Sequence, residues 1–298
     1  MVDRGAGRLQ LDGYVAELEA VWLAFEELYG SLSPEGWGRR YGKHWTFADQ
    51  PFHLAYFDRV MVAEPLEAGE DLPAGGRWSL RCTNDIDQWN VREFAKRPAG
   101  LTPEGSLAEL RQVHGRVVAA LGRFDDGDLD HARVFSHFFD LGFIPLRELI
   151  ETAGLHNWGE LSELRWRLGR TVPEPPPAVT HRSLGYYLLT MRALSQPERA
   201  SRPFTVQFDF TGPGGGCWTM QVADGACTLA EEAAGQPDLT FRMSADTFNL
   251  AMIRRAVNPA VAMLTGRVRV RGLSKMPRFL RLFPQPQPDQ PITVRPSS

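Results

Sequence analysis

Cysteine is scarce in this sequence, with three residues among 298, placed far apart at Cys82, Cys217 and Cys227. This number and spacing exclude a disulfide framework and a cysteine-based zinc site, and they fit a reducing compartment. No run of about 18 apolar residues occurs, which argues against a membrane-spanning helix. The N-terminal residues lack the apolar stretch of a signal peptide, so the sequence predicts a cytoplasmic protein.

A strong charge of one sign is also missing, because 33 basic residues face 36 acidic ones and the formal net charge is −3. This near balance argues against a nucleic-acid partner. The charge is unevenly divided: residues 1–170 carry 19 Lys and Arg against 27 Asp and Glu, and residues 171–298 carry 14 against 9. The asymmetry predicts two domains with different partners.

Prolines mark the expected boundary between these domains. Residues 171–180 read TVPEPPPAVT and predict a stiff linker between a first domain, residues 1–170, and a second domain, residues 181–285. The last residues, 286–298, are again rich in proline and polar side chains and predict a flexible tail.

Helical periodicity dominates the first domain. Apolar side chains recur every three or four residues from Tyr14 to Leu28, and Thr46 with Asp49 resembles a capping box before a helix that reaches about Ala63. A third helix opens at Pro103, a fourth covers about 145–168, and a short helix lies around 86–94. The pattern predicts an all-α four-helix bundle.

The second domain alternates apolar and polar residues, which is typical of strands, and its order predicts an α+β fold. The expected strands are 204–210, 217–222, 226–230, 239–243 and 267–271, and the expected helices are 184–194, 244–255, 260–264 and 273–282.

Three side chains of the bundle have the pattern of a metal site. His156 and Glu160 lie four residues apart on the fourth helix, and His53 lies on the second. Two histidines and one carboxylate leave coordination positions open, as in catalytic zinc sites. The alternative is a structural one, with His53 a hydrogen-bonded core residue and His156 and Glu160 a helix-surface pair.

The stretches WTFADQPFHL at 45–54 and HNWGELSEL at 156–164 resemble the DinB superfamily of four-helix bundles, which includes mycothiol-dependent maleylpyruvate isomerases. The resemblance implies a divalent metal, zinc or nickel, on His53, His156 and Glu160, and isomerase or S-transferase chemistry with a low-molecular-weight thiol. Glu160 stands where a second histidine is usual, so the bundle either uses a carboxylate ligand or has lost its metal.

No catalytic residue is assigned, but three residues after the second helix are expected to line the mouth of the site. They are Trp89, Asn90 and Arg92. Arg92 could bind a substrate carboxylate through two parallel hydrogen bonds, or it could be a solvated surface residue.

The second domain resembles the sterol-carrier-protein family over residues 184–283, through PDLTFRMSADTFNL at 237–250 and NPAVAMLTGRVRVRG at 258–272. The resemblance implies a lipid-like ligand in an apolar tunnel. The side chains expected near it are Phe248, Met252, Met263, Leu264, Met276 and Phe279. The alternatives are ordinary core packing, or a module for homodimer contacts or for covering the site.

Basic residues dominate the end of the second domain, where no acidic residue occurs between Asp246 and Asp289. The last helix has basic and apolar faces, as in helices that make transient contact with an anionic membrane. The alternative is a solvated surface that balances the acidic first domain. Two functions remain open: a metal-dependent, thiol-using enzyme for a small molecule, and a non-catalytic carrier of a hydrophobic ligand with the bundle as scaffold.

Overall fold

A computed structural model describes residues 8–41, 45–169 and 174–293. These residues form two compact units. The first takes in the described chain up to Asn157, residues 167–169, Glu174 and Gln287–Pro291, and the second takes in Trp158–Trp166, Pro175–Pro286 and residues 292–293. None of the described helices is long and apolar enough to cross a membrane.

Four long helical segments build the helical domain, as the periodicity predicted. They are α1 (Leu9–Gly30), then α3 (Gln50–Asp58) continued by a π-helical turn (Arg59–Ala63) and α4 (Glu64–Ala68), then α6 (Pro103–Leu121) and α8 (Leu146–Arg167). The shorter helices are α2 (Pro34–Gly38), α5 (Thr83–Ala95) and α7 (Asp128–His131). This helical domain also contains a short hairpin, in which β1 (Arg133–Ser136) pairs antiparallel with β2 (Gly142–Pro145).

Local sequence sets where two of these helices begin. The Asp49 carboxylate accepts hydrogen bonds from the backbone N and Oγ1 of Thr46, at 2.7 and 2.8 Å, but α3 itself begins only after this turn. The Oγ1 of Thr102 accepts from the backbone N of Gly105 at 3.1 Å, next to Pro103 in the first turn of α6. A proline there costs no helical hydrogen bond.

A buried polar cluster joins the helices of the first unit. Asp58 Oδ2 lies 3.2 Å from His114 Nε2, and Asp58 Oδ1 accepts from Asn157 Nδ2 at 3.2 Å. The Trp22 ring stacks on the His114 ring, with centroids 3.9 Å apart. The cluster therefore connects α3 to α1, α6 and α8. Its contact with α8 is at Asn157, the residue that follows His156.

The second unit is an α+β fold around a five-stranded sheet. Its helices are α9 (Pro177–Ala193), α10 (Ala245–Phe248), α11 (Pro259–Leu264) and α12 (Met276–Leu282), with 3-10 turns at Pro197–Arg199 and Leu273–Lys275. Its strands are β3 (Phe204–Thr211), β4 (Gly216–Ala223), β5 (Ala226–Ala230), β6 (Leu239–Ser244) and β7 (Arg269–Arg271). The sheet order is β5-β4-β3-β6-β7, with β3 parallel to β6 and the other pairs antiparallel.

Several expected boundaries differ from the structure. Helix α9 begins at Pro177 and takes up residues 177–180 of the expected linker, because a proline fits the first turn of a helix. Residues 171–173 of that linker lie outside the described residues. The helix expected at 244–255 is interrupted, since α10 passes into a π-helical turn at Asn249–Ile253.

Part of the expected tail belongs to the first unit. The carbonyl of Pro288 accepts a hydrogen bond from the backbone N of Asn84 at 2.9 Å, and Asp289 Oδ1 accepts from Asn84 Nδ2 at 2.7 Å. Pro288 and Asp289 therefore have defined partners at the start of α5.

Candidate metal centre

His53 of α3 and His156 and Glu160 of α8 come together in the structure. Each offers one ligand atom, and these atoms lie within 4.8 Å of one another. The two imidazole centroids are 5.4 Å apart. Glu160 follows His156 by one helical turn, which places both on one face of α8. The Glu160 side chain is 1% exposed, so the alternative of a helix-surface pair is wrong for this residue.

Aromatic side chains hold both imidazoles in place. The Phe57 ring stacks on the His156 ring with centroids 3.4 Å apart and planes within 8°. The Trp45 ring lies 4.9 Å from the His53 ring. Phe57 follows His53 by four residues, so both lie on one face of α3. Helix α3 therefore supplies one candidate ligand, His53, and the ring that stacks on the other histidine, His156.

A hydrogen-bond relay connects His53 to Tyr56 and Asn90. The Tyr56 hydroxyl lies 2.6 Å from His53 Nδ1 and donates to Asn90 Oδ1 at 2.8 Å. Because the hydroxyl has one proton and gives it to Asn90, it accepts the proton of Nδ1. Nε2 then carries the lone pair, which is the state of a metal-binding imidazole.

The donor set fits a divalent transition metal. Two imidazole nitrogens and one carboxylate oxygen suit zinc and nickel, and three protein ligands leave room for a further ligand. Tyr56 and Asn90 supply the outer hydrogen bonds that usually orient a ligating histidine. Of the expected ligands, all three are therefore in positions from which they could hold one ion.

The first unit has a cleft of about 610 Å³ whose lining residues do not include the three candidate ligands. Trp89 and Arg92 line this cleft together with Trp78. That Trp89 and Arg92 line the mouth of the metal site stays a prediction. The Trp89 ring lies 5.1 Å from the Tyr56 ring, so one wall of the cleft is next to the His53 relay. Three further cations of the cleft have carboxylate partners within 3.7 Å; they are Arg59, Arg81 and Lys96.

Tyr56 and its hydrogen bond to Asn90 are not predicted from the sequence. The expected place of Asn90 at the mouth of the site stays a prediction. The spacing of three residues between His53 and Tyr56 was the available signal, since such pairs are neighbours on a helix. The buried cluster of Asp58, His114 and Asn157 was also missed, because it joins residues far apart in the chain.

In the second unit, two of the six side chains expected near a tunnel are buried among the aromatic rings of the sheet. Phe248 lies 4.9 Å from Phe210, and Phe279 lies 5.1 Å from Phe241, measured between ring centroids. Met252, Met263 and Met276 are half-buried. The expectation that Leu264 lies near a tunnel is corrected by the structure. Leu264 is 88% exposed at the end of α11 and is therefore a surface residue.

Family comparisons agree with this architecture. The profile of the DinB superfamily matches residues 17–164, and the profile of the SCP-2 sterol transfer family matches residues 193–283. The chain joins a DinB-like domain to a sterol-carrier-like domain. The resemblances drawn from the two motif pairs are thereby confirmed.

Solved structures show the same fold. The mycothiol-dependent maleylpyruvate isomerase and a point mutant of it match with a TM-score of 0.50 and with 12% and 13% identity. Both matches cover 80% of this chain and 87% of the other. A comparison with curated protein sequences gave no match. At this identity the likeness establishes the fold of the DinB-like and sterol-carrier-like chain, and its chemistry depends on its own residues.

Proposed function

We propose that this protein is a divalent-metal-dependent enzyme that uses a low-molecular-weight thiol in isomerase or S-transferase chemistry. The observation that carries the proposal is the approach of His53, His156 and Glu160 to within 4.8 Å. Two solved structures that share the fold are those of an isomerase that depends on mycothiol, which supports a thiol as co-substrate. A bound metal would supply a Lewis acid that lowers the pKa of a coordinated thiol or water.

The residues of this chain would divide the remaining tasks. His53, His156 and Glu160 would hold the metal, with Tyr56 keeping the His53 proton on Nδ1. Arg92 would bind an anionic group of the substrate in the cleft. Within the described part of the chain no carboxylate lies within ion-pair distance of Arg92, whereas the neighbouring cations have partners. Trp89 would form an apolar wall that excludes water.

Spectroscopy of the cobalt- or nickel-loaded protein tests this proposal. Addition of a low-molecular-weight thiol to the wild-type protein should produce a sulfur-to-metal charge-transfer band. The His53→Ala variant should bind neither metal nor thiol. The matched control is His131→Ala, which removes an exposed histidine from α7 of the same unit. Metal binding that survives His53→Ala unchanged would contradict the proposal, as would metal binding without any thiol-dependent band.

The second candidate is a carrier of a hydrophobic ligand, favoured by the match of residues 193–283 to the SCP-2 sterol transfer family. Exposed apolar side chains at the end of this unit support contact with an anionic membrane, because basic residues surround them in the chain. They are Val261, Leu264, Leu273 and Leu280, with Arg267, Arg269, Arg271 and Arg281 also exposed.

Two measurements address the carrier function. Native mass spectrometry of the purified protein should show a retained lipid. Co-sedimentation should be stronger with vesicles containing phosphatidylserine than with phosphatidylcholine alone, because anionic lipid attracts the basic residues. Equal and negligible binding to both vesicles would contradict membrane contact.

A further inference from the structure

Arg254 contacts two buried carboxylates of α8 inside the second unit. Its Nη1 lies 2.7 Å from Glu160 Oε1, and its Nε lies 2.8 Å from Glu163 Oε2. The side chains of Glu160 and Glu163 are 1% and 6% exposed. Burial makes an unpaired carboxylate costly, so in the absence of metal one guanidinium serves both acids.

The segment that carries Arg254 is closely fitted to α8. Asn249 Nδ2 donates to the carbonyl of Gly159 at 3.0 Å, and Ser162 Oγ donates to Asp246 Oδ1 at 2.9 Å. A Cβ on Gly159 would come within 3.3 Å of Asn249 Oδ1, so glycine permits this approach. The position of Arg254 is therefore set by several contacts.

The backbone at Arg254 is also unusual. The residue follows the π-helical turn Asn249–Ile253, and its backbone N donates to the Asn249 carbonyl at 2.8 Å. The next residue, Arg255, has a φ of 52°, which is rare for a side chain of this size. Single π-helical turns inside helices occur frequently at functional sites.

We propose that Arg254 is the counter-cation of Glu160 in the metal-free protein and competes with the divalent metal for this carboxylate. The inference rests on the proposed metal function of His53, His156 and Glu160. A guanidinium and a divalent cation that share one carboxylate repel each other strongly where solvent is excluded. When the metal binds, Arg254 releases Glu160 and keeps Glu163, so that it retains a charged partner. Arg254 thereby lowers the metal affinity of the site.

Metal affinities of four full-length proteins test the proposal. Zinc binding to the wild type, Arg254→Met, Arg254→Lys and Arg255→Met is measured by competition with a chromophoric chelator. Removal of the charge in Arg254→Met should tighten zinc binding by about tenfold or more. Arg254→Lys keeps the charge, so its zinc affinity should be close to that of the wild type. Arg255→Met is the matched control, since it removes the adjacent, exposed arginine. It should leave the zinc affinity unchanged.

Thermal unfolding of the same proteins provides a second measurement. Without metal, Arg254→Met should unfold at a lower temperature than the wild type, because Glu160 and Glu163 have lost this partner. Excess zinc should raise its unfolding temperature more than that of the wild type.

Each outcome separates this inference from the proposed function. If Arg254→Met binds zinc no more tightly than the wild type, the competition is wrong while the metal site stands. If Arg255→Met tightens binding equally, the effect is one of general charge and the inference is also wrong. If neither the wild type nor Arg254→Met binds zinc, both the inference and the proposed function fail. If only Arg254→Met binds zinc, the competition is supported, while the proposed function of the wild-type protein fails.

Discussion

The Tyr56 hydroxyl lies 2.6 Å from Nδ1 of His53, and this contact decides which imidazole nitrogen of His53 carries the lone pair. We expect Tyr56→Phe to weaken zinc binding about 10- to 100-fold, because outer hydrogen bonds orient the ligand and fix its tautomer. Isothermal titration calorimetry measures the change directly.

Tyr14→Phe is the control for that variant. It removes another tyrosine hydroxyl of the first unit, which donates to Glu151 Oε1 at 2.8 Å, away from His53. Zinc affinity should not change in Tyr14→Phe. An equal loss of affinity in both variants would show that the effect of Tyr56 is a general one on the fold.

The Asp58 and His114 pair should contribute more to stability than a surface ion pair. Both side chains are buried, so Asp58→Ala should lower the free energy of unfolding by about 3–5 kcal/mol. Asp130→Ala breaks the more exposed pair with Arg147 and should cost about 1 kcal/mol or less. Urea unfolding measures both, and a similar cost for the two variants would contradict this ranking.

Phe248 and Leu264 should differ sharply when each is replaced by alanine. Phe248 is buried in the aromatic core of the sheet, and its loss should cost about 3–5 kcal/mol. Leu264 is 88% exposed, and its loss should change stability by about 0.5 kcal/mol or less. If Leu264→Ala destabilised the protein as much as Phe248→Ala, then Leu264 would be a core residue.

The stability of the first unit should fall with decreasing pH because of His137. Burial lowers the pKa of His137, although its hydrogen bond to the Trp78 carbonyl opposes the shift. The unfolded chain takes up this proton near pH 6.5, above the pKa of the folded state. The folded state is therefore favoured above about pH 6.5 and loses this contribution as the pH falls below it.

His137→Gln tests that contribution, since glutamine has no proton to take up in this range. Urea unfolding of the wild type and the variant at pH 7 and pH 5 should show a larger loss of stability in the wild type. Identical losses would contradict a lowered pKa in the folded protein.

The sequence predicted the elements that follow from local rules. The apolar periodicity gave the four long helical segments, and Thr102 before Pro103 marked the start of α6. Ser244 was correctly placed at the start of α10, where its Oγ accepts from the backbone N of Thr247. Such signals depend on residues close in the chain, which is why a single sequence contains them.

Features that depend on contacts between distant residues could not be predicted in this way. The Tyr56 to Asn90 bond spans 34 positions, and Arg254 reaches Glu160 from a different part of the chain. The π-helical turn at Asn249–Ile253 was also missed, because the same residues fit an ordinary helix. The candidate ligands were found from their residue types and from the resemblance to known bundles.

The central claim is that His53, His156 and Glu160 hold one divalent metal ion. The most direct measurement is the metal content of the full-length protein after dialysis against zinc or nickel, determined by elemental mass spectrometry. We predict about one ion per chain for the wild type and for His131→Ala, and a loss of most of it in His53→Ala and His156→Ala. Equal metal content in all four proteins, or none in the wild type, would contradict the account.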